Sequence, residues 1–298
     1  MAHAWRCTGL RWGGAEPCLV WEGGRRSPLP RGKAVVFGVV DGGGRTCVGA
    51  RGHACPVRAG VPGRSTGARC EECARLDRAH SVAADTFADD PRPYHVYLAW
   101  FGPGMVKVGI TAIERGSARL LEQGAVCFAW LGRGPLMAAR RAEEVLRAAL
   151  KVPDRIPYAE KRLLRAALPE PAEREGELAA VHGRALALPG WPESLEPVAF
   201  QAVDHFGVFG LDALPAADGV VSELVAGGVV GGEVLAVAGP DLHLATGQGV
   251  VVLDTRLMTG WELTAPTGEG ARDAVTVPIR EVRKREGGAG GGVQDGLF

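Results

Sequence analysis

The stretch Tyr94–Leu150, YHVYLAWFGPGMVKVGITAIERGSARLLEQGAVCFAWLGRGPLMAARRAEEVLRAAL, constrains the fold more than any other part of the chain. His95 to Trp100 reads as a strand, Phe101-Gly102-Pro103-Gly104 as a turn, and Met105 to Ile110 as a second strand, which together make a β-hairpin. Arg119, Leu120 and Leu121 fall in a short helical pattern. A third apolar run, Ala125 to Leu131, precedes a longer helix from about Pro135 to Lys151. The order strand, strand, helix, strand, helix describes a small α/β module, which the basic segment after Leu150 extends to residues 94–168.

What flanks the module differs on its two sides. Residues 1–46 alternate apolar runs with Gly, Pro and Arg turns and predict three or four short strands beside it. Their tryptophans Trp5, Trp12 and Trp21 suit either a core or a base-stacking surface. Residues 169–188, rich in Glu and Ala, suggest a linking helix, and residues 190–282 are strand runs cut by glycine turns, as in a small all-β domain. His205, His243 and Asp254 in that domain have no metal-ligand spacing and read as ordinary strand residues. The predicted class is α+β: an N-terminal β region, a cysteine-rich segment at 47–85, the central module, a C-terminal β domain, and a glycine-rich tail at 283–298. Residues 85–93, acidic and proline-bearing, read as a linker.

The cysteine-rich segment points to a metal. Cys70 and Cys73 form a C-x-x-C knuckle ahead of a helical run, and Cys47 and Cys55 supply a second pair, so four thiolates can converge tetrahedrally on structural zinc. The first pair is widely spaced, and His53 is an alternative ligand to Cys47 or Cys55. A segment this rich in Gly, Pro and Arg cannot order itself by apolar burial, whereas a bound metal supplies the missing free energy. Arg45, Arg51, Arg58, Arg64, Arg69 and Arg75 punctuate the segment and are either phosphate contacts or solvated side chains.

Zero formal net charge conceals an asymmetry. Residues 1–168 hold 26 Lys and Arg against 15 Asp and Glu, while residues 169–282 hold 5 against 17. A basic front half predicts a nucleic-acid face there, and the acidic back half predicts a structural or protein-contact role. No apolar run has membrane-spanning length and the N-terminus lacks signal-peptide character, so the expected location is cytoplasmic and nucleoid-associated, with no membrane partner.

With His95-Val96-Tyr97 on the first strand and Lys107-Val108-Gly109 ten residues later on the second, the central module resembles the GIY-YIG nuclease module. Within that superfamily, the run KVGIT…ARLLEQGA followed by an Ala-x-x-x-Glu-x-x-Leu helix most resembles the bacterial DUF2797 family, and GEVLAVAGPDLHL, VVLD and TGWEL extend that likeness into the C-terminal half. The resemblance implies a metal-dependent DNA endonuclease or structure-specific DNA-processing protein. In it Tyr97 positions or activates the nucleophile, Arg119 binds the scissile phosphate, and Glu143 holds a single Mg²⁺ or Mn²⁺; Arg115 and Arg140 are further phosphate candidates.

One departure weakens the catalytic implication: Lys107 stands where the second motif carries a tyrosine. A lysine neutralises phosphate but does not copy a phenol. A catalytically inactive nucleic-acid-binding zinc protein with a nuclease-like fold is therefore the alternative. Tyr158, Lys161, Arg162 and Arg165 offer either more phosphate contacts or a solvated helix face. The tail ends in Gln294-Asp295-Gly296-Leu297-Phe298, which resembles the Gln-x-x-Leu-Phe peptide that binds the bacterial sliding clamp. Gln294, Leu297 and Phe298 are its expected anchors, and the glycine linker gives reach.

Overall fold

A computed structural model describes residues 3–79, 90–268 and 270–282. Four strands come first: β1 (Trp5–Gly13), β2 (Glu16–Trp21), β3 (Arg26–Pro28) and β4 (Ala34–Val39), followed after the cysteine-rich loop by α1 (Glu71–Ala79). The central module comprises β5 (Pro93–Trp100), β6 (Val106–Ala112), α2 (Ala118–Gln123), β7 (Cys127–Pro135) and α3 (Leu136–Leu150), matching the predicted order. Two further helices follow, α4 (Tyr158–Leu164) and α5 (Pro171–Leu186). The rest comprises β8 (Glu196–Pro197), β9 (Val203–Asp204), α6 (Phe206–Phe209), β10 (Gly219–Val221), β11 (Val229–Ala238), β12 (Asp241–Thr246), β13 (Gly249–Asp254), β14 (Glu262–Thr264) and β15 (Ile279–Glu281).

The module is built on a small antiparallel sheet of order β6-β5-β7-β8, with β9 also paired to β7. Strand β5 is apolar on both faces because both are covered. Tyr94, Val96, Leu98 and Trp100 join the main core with Leu136, Ala139, Ala142 and Leu146 of α3 and Leu178 and Val181 of α5. The alternate residues Tyr97 and Ala99 pack with Phe101, Phe128 and Leu120 of α2 in a second, smaller core. The two-residue period of a strand thus assigns Tyr97 to the α2 face. Glu177 of α5 fixes the hairpin turn, accepting from Trp100 Nε1 at 2.7 Å and from the Gly104 amide at 2.9 Å.

The N-terminal and C-terminal β segments, separate regions in the sequence reading, share one ten-stranded sheet of order β15-β10-β13-β12-β11-β4-β14-β1-β2-β3. Strand β4 lies between β11 and β14, with Val36 opposite Gly231 and Val39 opposite Leu263. Such long-range pairing leaves no local trace in the sequence. Trp12 is core, donating from Nε1 to the Gly239 carbonyl at 3.2 Å.

The module docks on this sheet through α2 and α4. The left-handed Gly124 closes α2 against Gly239 in the β11–β12 turn, where a Cβ on Gly239 would lie 2.8 Å from the Gly124 nitrogen. Arg162 and Arg165 of α4 reach into the sheet, and this corrects their reading as phosphate contacts or solvated cations. Arg162 donates to Asp241 at 2.5 Å and to Asp254 at 2.6 Å, and Arg165, 1% exposed, donates to Asp241 at 2.5 Å. Asp254 and His243 are therefore members of a buried ionic cluster rather than plain strand residues. His205 precedes α6 instead of lying on a strand, with Nδ1 3.0 Å from the Ala125 carbonyl. Lys161 is buried too: its Nζ donates to the Gln123 carbonyl at 3.1 Å and sits 3.7 Å from the Phe101 ring centroid and 4.3 Å from that of Tyr158. Burial, then the nearby Lys107 and Arg165 charges, push its pKa down to about 7.

Candidate functional site

The four cysteines meet. The Sγ atoms of Cys47, Cys55, Cys70 and Cys73 all lie within 4.8 Å of one another, and His53 is not among them. Tetrahedral zinc with Zn–S bonds of about 2.3 Å separates its sulfurs by about 3.8 Å. A soft, four-thiolate donor set of this size fits zinc. The wide spacing of the first pair is accommodated by a loop that folds back on itself, with Ala50 and His53 exchanging backbone hydrogen bonds of 3.0 and 2.9 Å. Gly49 makes that possible at φ +79°, since a Cβ there would lie 1.8 Å from the His53 carbonyl oxygen. The amides of Gly49 and Cys70 donate to Cys47 Sγ at 3.3 and 3.2 Å, which stabilises thiolate charge. Arg45 is not a phosphate contact: it is 3% exposed and ties this loop to the sheet by donating to the carbonyls of Thr259, Pro62 and Arg256.

The second site lies in the module and draws on four elements. Tyr97 on β5 directs its hydroxyl towards Gly109 of β6, where a Cβ would lie 2.4 Å from the phenol oxygen, so only a glycine leaves room. Gln123 of α2 donates from Nε2 to that oxygen at 2.9 Å. Arg119, one turn earlier on α2, is close enough to bond the same phenol and is exposed on its outer side. Lys107 of β6, 8% exposed, places Nζ 5.8 Å from the Tyr97 ring centroid and donates to the Asp154 carbonyl at 3.1 Å. Glu143 of α3 is half-buried and faces the group, while Glu144 is exposed.

The electrostatics are mutual. Burial and then the Arg119 charge lower the Lys107 pKa to about 8, with Glu143 and Asp154 acting against them. Burial raises the Glu143 carboxyl, and Lys107 offsets part of that. Burial also raises Tyr97, opposed by the Gln123 hydrogen bond and by Arg119. Tyr97 and Lys107 both feel the charges of Arg119 and Glu143, and Glu143 feels that of Lys107, as expected of side chains around one small volume.

The structure therefore brings Tyr97, Lys107, Arg119 and Glu143 together. Arg140, one turn before Glu143, is close enough to lower the pKa of that carboxyl, whereas Arg115 is engaged by Glu122 at 2.8 Å. Sequence reasoning missed Gln123, although its place four residues after Arg119 puts both on one face of α2. Gln294, Leu297 and Phe298 lie outside the described residues.

Fold and sites together define an α+β protein in which a four-cysteine knuckle and a small α/β module are mounted on one mixed β-sheet. The chain belongs to the DUF2797 family, described as a protein of unknown function, whose family model matches residues 43–263. No curated protein and no solved structure gives a match. Among the described residues, no helix is long and apolar enough to cross a membrane.

Proposed function

We propose that this protein is a zinc-stabilised nucleic-acid-processing protein whose α/β module acts on phosphodiesters in the manner of GIY-YIG nucleases. The observation that supports this most is the assembly of Tyr97, Lys107, Arg119 and Glu143 from four separate elements around one phenol. Arg119, exposed beside the phenol, binds the scissile phosphate as a planar fork. Glu143 supplies the hard oxygen that Mg²⁺ or Mn²⁺ takes together with water and phosphate oxygens. Such an ion would stabilise charge on the leaving oxygen. Lys107, with a pKa near 8, is poised between cation and base.

The burial of the centre favours a second reading. Tyr97 is 1% exposed and its oxygen already accepts from Gln123, which suits a module that binds nucleic acid without cutting it. Incubation of the purified protein with branched, nicked and single-stranded DNA in Mg²⁺ or Mn²⁺ separates the two. Cleavage abolished by Glu143→Ala supports the nuclease; binding without cleavage supports the silent module; cleavage surviving Glu143→Ala refutes the site.

In this proposal the tail anchors Gln294, Leu297 and Phe298 recruit the protein to the sliding clamp, with DNA as the nucleic-acid partner. Deletion of residues 294–298 is expected to abolish clamp binding, and equal binding by the shortened chain would refute that part.

A further inference from the structure

Two residues along β5 from Tyr97, on the same face of the sheet, the structure carries polar groups that the reading above does not use. His95 pairs across the ladder with Thr111 of β6 on one side and with Arg133 of β7 on the other. The His95 ring stacks on Trp130, with centroids 4.3 Å apart and an interplanar angle of 22°. Trp130 in turn meets the Tyr97 ring at 78° and 6.4 Å, which makes the two positions contiguous.

Two features of this row are unusual. The Thr111 hydroxyl belongs to a residue that is only 4% exposed, yet it has no hydrogen-bond partner among the described residues, and the same is true of the buried His95 Nδ1. An unmet buried polar atom costs about 1–3 kcal/mol, so two side by side are expensive unless something completes them. Arg133 is exposed, forms no ion pair among the described residues, and adds its charge to the burial that lowers the His95 pKa, while a hydrogen bond from the ring to the Gly132 backbone acts against both.

We propose that Thr111, His95 and Arg133 form a second phosphate subsite, which takes the phosphodiester next to the one held at Arg119 and Tyr97. The chemistry is that of an anion cradle: a hydroxyl donor, a guanidinium fork and, once the bound phosphate charge favours protonation of the ring, an imidazolium N–H. The step from Tyr97 to His95 is two strand residues, about 6.6 Å, which suits neighbouring phosphates of an extended single strand. Charge neutralisation by Arg133 carries the affinity, and Thr111 and His95 fix the register. This subsite rests on the nucleic-acid reading of the module but not on its being catalytic.

The test uses the full-length protein and a fluorescein-labelled single-stranded DNA oligonucleotide, with anisotropy read across a salt series in the absence of Mg²⁺ and chelator. Thr111→Val is near-isosteric. It is expected to weaken binding about threefold, with an unchanged salt slope, while leaving the melting temperature equal or higher, because it removes a hydroxyl that nothing in the fold satisfies. Arg133→Gln is expected to weaken binding five- to tenfold and to reduce the salt slope by about one. Arg184→Gln, which removes an exposed charge on α5, controls for general charge loss and is expected to bind like wild type. If Arg119→Gln weakens binding while Thr111→Val and Arg133→Gln bind as wild type, the subsite is refuted and the nucleic-acid reading stands. If Thr111→Val lowers the melting temperature and leaves binding intact, the hydroxyl is structural and the subsite is again refuted. If the wild-type protein binds no nucleic acid, both readings fall together.

Discussion

The junction between module and sheet gives the sharpest test of the energetics. Asp241 is fully buried and bonded by two arginines, Arg162 and Arg165. At an effective dielectric constant of about 20 and about 4 Å between charge centres, each attraction is worth about 4 kcal/mol before desolvation. Asp241→Asn keeps the shape but removes the charge. Arg162 retains Asp254, but Arg165 is left with a neutral amide and His243 Nε2 at 3.4 Å. Stranding one partner of a buried pair costs about 3–5 kcal/mol, and the retained amide puts this substitution near 3 kcal/mol. For a chain of this size that is a drop of roughly 6–12 °C in melting temperature.

Urea unfolding at pH 7 measures the loss directly. The double variant Asp241→Leu with Arg165→Met removes both charges and is expected to lose less than the single variant. A loss below about 1 kcal/mol for Asp241→Asn, or a double variant worse than the single, would refute the reasoning. The pH dependence has a definite sign. Burial alone would raise the Asp241 carboxyl, but Arg165 and Arg162 hold it below its ordinary value. A carboxyl depressed in the folded state stabilises above its unfolded pKa of about 3.9 and loses that contribution as pH falls through the folded value. The gap between wild type and Asp241→Asn should therefore be full at pH 5 to 7 and narrow only in acid.

Other outcomes follow from the same structure. Lys161 titrates near pH 7 when folded and near 10.5 when unfolded, so the unfolded chain binds the extra proton between those values and stability rises with pH across them. Lys161→Met should flatten that rise, and equal slopes in unfolding measurements at pH 7 and 9 would count against the burial argument. A methyl group at Gly109 would meet the Tyr97 hydroxyl at 2.4 Å and Cζ at 2.5 Å. Gly109→Ala is therefore expected to cost about 1–3 kcal/mol and to change the near-ultraviolet circular dichroism of the aromatic cluster. Elemental analysis should find about one zinc per chain, lost in Cys73→Ser together with protection of the 43–79 loop from proteolysis. Loss of the Glu177 bonds to Trp100 and Gly104 in Glu177→Ala should destabilise by about 1–3 kcal/mol, read by thermal melting.

Much of this protein was determined locally. The order of elements from His95 to Leu150 was legible because strand and helix periods depend only on near neighbours, and the interruption at Phe101–Gly104 fixes the hairpin. The C-x-x-C knuckle was legible because metal chemistry restricts residue type and spacing. Tyr97, Lys107, Arg119 and Glu143 were singled out by the resemblance to the GIY-YIG module. Their meeting was not legible in the chain itself, since α3 follows α2 by a whole strand.

The tertiary structure decided everything that depends on partners distant in sequence. It joined the first 40 residues to the last third of the chain in one sheet, because strand pairing is set by which edges are left to satisfy one another. It turned Arg162, Arg165 and Arg45, indistinguishable in sequence from solvated or phosphate-binding arginines, into buried anchors, because carboxylates or carbonyls more than 75 positions away were waiting for all three. It left Thr111 and His95 with unmet hydrogen bonds that no pattern could reveal. Periodicity and ligand spacing are properties of the chain; burial and charge compensation are properties of the fold.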